Sequence, residues 1–305
     1  MTPDLTPVQI PNMPRFPVSR IAPTPSGFLH LGNAVNFIVT WALVREAAGR
    51  LHLRIDDMDG IRFRRDVMED IFTSLDWLGL DWDEGPEGPD DFYRHFSLQD
   101  RKQMYRSHLD RLNGSEGVIF NCVCSRRDIQ QVSADGRYPK TCRDAGHKSL
   151  EGKSAVRLKV EGEVRFNGIT IDLARTMGDF VVWRKDDQPS YHLASLIEDE
   201  RSGINLIVRG EDLLDSTAAQ IYLARCLGFP NFPKTRFIHH RLVTGADGQK
   251  LSKSRGAHGL KDMRESGIGP QAAFRATARI LGVDETRISV PGDLVSELGA
   301  LRARS

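Results

Sequence analysis

Apolar positions along the chain recur with two alternating periods. From Asn33 to Ala48, the residues Val35, Phe37, Ile38, Trp41, Ala42, Val44 and Ala48 fit a helix with one wide buried face, and Gly49 supplies its break. Before it, residues 17–22 read as a strand ending at Pro23; after it, Leu51, Leu53 and Ile55 alternate as a strand that delivers Asp56, Asp57 and Asp59 at its end. Strand, helix, strand at this spacing is a βαβ unit with polar groups at the strand's carboxyl end. A second helix is predicted over 65–79, followed by the acidic, proline-containing loop LDWDEGPEGPDD, and a third over 99–113. Val118-Ile119-Phe120 is a short strand, and up to about residue 180 the chain is rich in glycine and charge, which suggests an insertion. Strand character returns at 180–183 and 205–208. Asp215-Ser216-Thr217 reads as a helix start before AAQIYLARCLG, Phe237-Ile238-His239 as a short strand, and PQAAFRATARILG as an amphipathic helix. No internal repeat or low-complexity tract is present. The fold class expected from this order is α/β.

At 305 residues the chain can build one large or two modest domains. The hydrophobic share of 40% and charged share of 27% are ordinary for a globular protein, and no apolar run has the length of a membrane span. The first 17 residues hold five prolines and neither an apolar signal core nor an arginine-rich amphipathic pattern, so a loose tail and a cytoplasmic protein are expected. A net charge of +1 gives no polybasic field, so a nucleic acid would be met by local patches such as Arg62/Arg64/Arg65 or Lys250/Lys253/Arg255. Four cysteines are too few and too unevenly placed for a disulfide scaffold; Cys122, Cys124 and Cys142 form a set, while Cys226 stands apart.

Candidate chemistry concentrates in residues 23–33, PTPSGFLHLGN. A strand end runs through a glycine turn into a helix start, which sets backbone N–H groups and the imidazole of His30 at a helix N-terminus, a natural anion site. Neither G-x-x-x-x-G-K-[ST] nor G-x-G-x-x-G occurs there, which argues against the two commonest nucleotide folds. A second polar cluster, Lys250-Leu251-Ser252-Lys253-Ser254, follows 220 residues after His30 in a Ser- and Gly-flanked loop.

Together His30-Leu31-Gly32-Asn33 and Lys250-Leu251-Ser252-Lys253-Ser254 resemble the HIGH and KMSKS signatures of class I aminoacyl-tRNA synthetases. The runs Arg20-Ile21-Ala22-Pro23-Thr24-Pro25-Ser26-Gly27, Arg54-Ile55-Asp56-Asp57-Met58-Asp59, Tyr191-His192-Leu193-Ala194 and Val208-Arg209-Gly210-Glu211-Asp212 resemble the glutamate-specific branch, in order, from about residue 18 to 265. The resemblance implies a Rossmann-type parallel sheet and joining of glutamate to the α-phosphate of ATP, with Mg²⁺ sharing the phosphate charge. It implies His30, Asn33, Lys250 and Lys253 as catalytic groups, with His30, Gly32, Asn33 and Lys253 on ATP. Arginine supplies a planar fork for carboxylates, and the resemblance assigns Arg20 and Arg209 to those of glutamate, with Asp56 and Tyr191 at its amino group and Ile21, Ala22, Pro23 and Thr24 lining the site. The branch carries Glu where this chain has Asp56, a carboxylate one methylene shorter, which bears on the pose or identity of the amino acid. Leu213 stands where full-length glutamyl enzymes tend to carry tryptophan.

Only 51 residues follow Ser254, too few for the helical anticodon-binding domain of a glutamyl-tRNA synthetase. The chain therefore resembles the truncated paralogues, the glutamyl-queuosine tRNA(Asp) synthetase family, whose partners are glutamate, ATP and a tRNA(Asp) carrying queuosine, with no membrane. The division this implies is a tail over 1–16, a catalytic domain in two halves over 17–113 and 180–240, an inserted zinc-containing acceptor subdomain over 114–179, and the KLSKS loop with C-terminal helices over 241–305. Soft thiolates in C-x-C spacing suit tetrahedral Zn²⁺. The resemblance gives one structural zinc on Cys122, Cys124, Tyr138 and Cys142; His147 is the competing fourth ligand, and buried cysteines without metal are the alternative. Two other functions stay open: adenylation with transfer to a non-tRNA acceptor, and a catalytically silent paralogue that binds RNA or an amino acid.

Overall fold

The computed structural model describes residues 13–60, 62–114, 117–150, 152–242 and 259–303. In chain order its main elements are β1 (Val18–Ile21), α1 (Leu31–Glu46), β2 (Arg50–Leu53), α2 (Arg65–Leu78), α3 (Lys102–Asn113), β3 (Ile119–Cys122), α4 (Arg126–Val132), β4 (Ala155–Leu158), β5 (Glu163–Phe166), β6 (Ile169–Asp172), β7 (Phe180–Trp183), α5 (Tyr191–Arg201), β8 (Leu206–Gly210), α6 (Leu214–Cys226), β9 (Arg236–His240), α7 (Leu260–Glu265), α8 (Gln271–Leu281) and α9 (Pro291–Arg302). The chain forms two compact units. The first holds residues up to Ser97, Ile204–Asp212 and Thr235 onward; the second holds Leu98–Gly203 and Leu213–Lys234, and so contains the insertion expected over 114–179.

In the first unit β1 pairs with β2 and β8 with β9, both in parallel. The two pairs are tied where Asn205 N donates to Val18 O at 3.0 Å and Val18 N donates to Asn205 Oδ1 at 2.8 Å. The β1–α1–β2 crossover is the predicted βαβ unit; β1 is a residue shorter at each end than the sequence pattern, while β2 opens at Arg50 and closes at Leu53, before Ile55. Helix α1 starts at Leu31, two residues earlier than expected, because His30 caps it. It differs from expectation in a second way: every residue from Ala34 to Val44 except Asn36 is buried, not one face alone. The reason lies at the chain's other end, since α8 and α9 pack on α1 with Phe274, Leu281, Leu294 and Leu298 in the same core. A helix covered on two sides has no solvent stripe to mark it as amphipathic. Gly49 turns the chain into β2 so tightly that a Cβ there would meet Pro17 O at 2.3 Å.

The acidic loop after α2 is structural. Trp41 Nε1 donates to Asp81 Oδ1 at 2.5 Å, while Arg45 and Leu51 N both donate to Asp83 Oδ2 at 2.7 Å. Leu53 N then donates to Glu84 O at 2.8 Å, so the loop extends the edge of β2.

In the second unit β3, β4 and β7 form an antiparallel sheet in that order, and β5 and β6 form a hairpin. The hairpin turns at Asn167 and Gly168 with φ of 48° and 75°, the double left-handed pair of a type I′ turn. Helix α6 begins at Leu214 rather than at the expected Asp215–Thr217 signal; a helical turn over Glu211–Leu213 runs straight into it, so no side-chain cap is made. Among the described residues no helix is long and apolar enough to cross a membrane.

Candidate active site

The HLGN run is a reciprocal cap. His30 sits at the N-cap of α1 in extended backbone, its Nδ1 accepts from Gly32 N at 3.1 Å, and Asn33 Oδ1 accepts from His30 N at 3.1 Å. This is the arrangement of a capping box, with an imidazole and an amide in place of the usual hydroxyl and carboxylate. Because Nδ1 is an acceptor, the neutral ring carries its proton on Nε2, and the Asn33 amide keeps its NH₂ as a donor. Both groups are thus held as donors at the positive end of a 16-residue helix with no acidic residue in its first turn. Gly32 is needed beneath the ring, since a Cβ there would lie 3.1 Å from His30 Cε1.

The other candidates of the first unit lie on its strands and at their ends. Arg20 is the third residue of β1 and is 7% exposed; Arg209 is the fourth of β8 and 3% exposed. Ile21 and Pro23 are buried, Ala22 is half-buried and Thr24 is exposed. The β1–β2 ladder continues past the strands, with Arg54 N donating to Ile21 O at 2.9 Å and Asp56 N to Pro23 O at 2.8 Å, which brings Asp56 beside the 20–24 run. Sequence reasoning missed that Arg54 grips Asp56 with two bonds, Nε to Oδ1 at 2.6 Å and Nη2 to Oδ2 at 3.2 Å. The signal was the i,i+2 spacing, which in a strand puts both side chains on one face. Also missed was His239, which pairs with Arg209 across the β8–β9 register; burial and then the Arg209 charge push its imidazole down to about 4.

Lys250 and Lys253 lie outside the described residues. The chain resumes at Gly259, which bridges to His30, and Leu260 N donates to Leu29 O at 2.8 Å. Tyr191 belongs to the second unit, where it opens α5 behind the Ser190 cap and is 46% exposed. The Arg62/Arg64/Arg65 patch is charge-paired: Arg62 lies 3.6 Å from Asp59, Arg64 binds Asp66, and Arg65 binds Glu69 at 2.8 Å.

The second unit gathers the cysteine set. Cys122 closes β3, Cys124 follows, and the chain returns through Tyr138 to Cys142 by a turn with Lys140 at φ 63°. The Sγ atoms of Cys122, Cys124 and Cys142 lie within 4.8 Å of one another, with 3.5 Å between Cys124 and Cys142. Tyr138 packs in the same cluster, and its hydroxyl accepts from Cys142 N at 2.7 Å. His147 is exposed and outside the sulfur cluster. Burial and the neighbouring sulfurs push the Cys124 thiol up to about 12. Cys142, though burial opposes it, is drawn below the ordinary thiol range by the Tyr138 hydroxyl and the Val123 backbone. Three sulfurs so close cannot all ionise without a cation among them, and a set of soft sulfur donors at this spacing fits Zn²⁺.

The fold is that of a class I synthetase. The family model described as tRNA synthetases class I (E and Q), catalytic domain, matches residues 18–289, and the chain belongs to this family, which makes it a ligase. It is 37% identical over 298 residues to Glutamyl-Q tRNA(Asp) synthetase of Symbiobacterium thermophilum, with 90% of each chain covered. It is 32% identical over 280 residues to the glutamate–tRNA ligase of Geobacter sulfurreducens, covering 86% of this chain and 56% of that one, so it spans little more than half of such a ligase. Among solved structures, glutamate–tRNA synthetase from Elizabethkingia anophelis superposes with a TM-score of 0.74 at 22% identity, covering 93% of this chain and 66% of that one, a likeness of fold.

Proposed function

We propose that the chain activates glutamate with ATP, without tRNA, and passes the glutamyl group to the queuosine base of tRNA(Asp). The observation that carries the activation step is the His30–Asn33 cap, which holds two side-chain donors at the N-terminus of α1. A glutamate carboxylate oxygen attacks the α-phosphorus of ATP, the bond to the β-phosphate oxygen breaks, and pyrophosphate leaves. Negative charge grows on the phosphoryl oxygens in that transition state, and fixed donors that strengthen there accelerate the step. His30 and Asn33 donate from the helix side; Lys250 and Lys253 act from the KLSKS run. Mg²⁺ bound with ATP supplies further charge neutralisation. Arg20 and Arg209, both buried, bind the carboxylates of glutamate, and Asp56 takes its ammonium group. In the transfer step an acceptor hydroxyl attacks the acyl carbon and AMP leaves.

The match over 90% of the length of a Glutamyl-Q tRNA(Asp) synthetase supports the queuosine acceptor over the tRNA(Glu) end. Cys122, Cys124, Cys142 and Tyr138 hold one structural Zn²⁺ that braces the insertion over 114–179 against the acceptor. The test is pyrophosphate exchange into ATP with each of the twenty amino acids in the absence of tRNA. Exchange with glutamate is expected; none with any amino acid, or preference for aspartate, would overturn the reading. Labelled glutamate offered to tRNA(Asp) with and without queuosine then checks the acceptor, and label on queuosine-free tRNA refutes it.

A further inference from the structure

Helix α7, which resumes the described chain after the KLSKS run, is fastened to α2 by a buried polar cluster that none of the catalytic assignments uses. Arg264 Nη1 donates to Ser74 Oγ at 2.7 Å, Arg264 Nη2 bonds Asp70 Oδ1, and Ser74 Oγ donates to Asp70 Oδ2 at 3.1 Å. The side chains of Arg264 and Asp70 are only 14% and 8% exposed. All three lie in the first unit.

Both helices also hold the segment that leads into the His30 cap, the nucleotide cradle of the adenylation proposed above. At the start of α2, Arg64 N donates to Pro25 O at 3.0 Å and the Arg64 guanidinium stands 5.1 Å from the centre of the Phe28 ring. At the start of α7, Leu260 N donates to Leu29 O at 2.8 Å, Gly259 bridges to His30, and Lys261 Nζ lies 4.6 Å from the same Phe28 ring. The segment from Pro25 to His30 is therefore gripped from two helices, and the Arg264–Asp70–Ser74 cluster is a polar tie between those helices beside the apolar core that Leu260 and Met263 share with α2. A two-point grip fixes a segment only if its two supports cannot move apart. Buried charge-assisted bonds give that rigidity, because separating Arg264 from Asp70 strands two charges away from water.

We propose that Arg264, Asp70 and Ser74 are positioning residues for the nucleotide cradle: they hold α2 and α7 at the separation that sets the backbone of Leu29–His30 and, through the cap, the His30 imidazole. This rests on the adenylation proposed above for its kinetic part only. Arg264 serves the hydroxyl and the carboxylate together from two nitrogens of one planar guanidinium, a fixed spacing that the single ammonium of lysine does not reproduce.

The experiment uses the full chain with Arg264→Lys, Asp70→Asn and the milder Ser74→Ala, so that one variant stays folded if another does not. Amide hydrogen exchange is read at Gly32, Asn33 and Leu260, with β8 as the internal control, alongside pyrophosphate exchange. Expected are at least tenfold faster exchange at the cradle amides with β8 unchanged, and kcat for pyrophosphate exchange lowered at least tenfold with the glutamate KM within twofold. Unchanged cradle amides overturn the proposal, and so does faster amide exchange with an unchanged kcat, which would leave the cluster a tie of structure alone. A wild type that exchanges no pyrophosphate overturns the adenylation reading instead, and the amide exchange at Gly32 and Asn33 then decides the positioning claim by itself.

Discussion

Acidification should destabilise the first unit through His239. Parallel pairing of β8 with β9 sets His239 opposite Arg209, and the Phe237 ring, two residues away and on the same face, stacks on the imidazole at 6.5 Å and 22°. Burial is the larger cause and the Arg209 charge the next; together they bring the imidazole from 6.5 to about 4. The unfolded chain takes up this proton as pH falls through 6.5, whereas the folded chain resists until about 4. Between those values the unfolded state binds more protons, so stability falls with falling pH and the loss is complete near the lower value. At about 1.4 kcal/mol per pH unit, and allowing for screening of a half-buried ring, the loss is roughly 2–3 kcal/mol. That is a sizeable part of a typical domain stability of about 5–15 kcal/mol. Urea unfolding of wild type and His239→Gln near neutrality and at about one half unit above the folded value measures it. His52, His108 and His240 are also pushed down, by burial first, but they are common to both proteins and drop out of the difference. The wild type should lose about 2 kcal/mol more than the variant on acidification. Parallel loss in the two proteins would refute the assignment.

Two further outcomes concern the second unit. Glu198, 1% exposed, accepts from Arg101 at 2.6 Å and from the Tyr105 hydroxyl at 2.8 Å, so Glu198→Ala should cost about 3 kcal/mol in urea unfolding, and Glu198→Gln clearly less. Protein from zinc-replete cells should release one equivalent of Zn²⁺ to a chromophoric chelator, with a lower unfolding midpoint afterwards; Cys124→Ser should bind markedly less zinc, and wild type without zinc would refute the metal assignment.

The sequence by itself determined the α/β class, the βαβ start, and the two signature runs, because strand alternation, a glycine break and a cap residue act within a few positions of one another. Local chemistry also sufficed for the HLGN cap, whose two bonds span only two and three residues. Four things needed the tertiary structure. The all-round burial of α1 comes from helices that lie more than 200 residues later in the chain, so its own pattern could not reveal it. The turn at Lys140 brings the Tyr138 phenol to Cys142 N, while the His147 imidazole stays outside the cysteine cluster. The Arg264–Asp70 bond joins residues 194 apart, and the His239–Arg209 pairing depends on the register of two parallel strands. Burial turns such distant pairs from ordinary surface charges into constraints, and burial belongs to the folded chain.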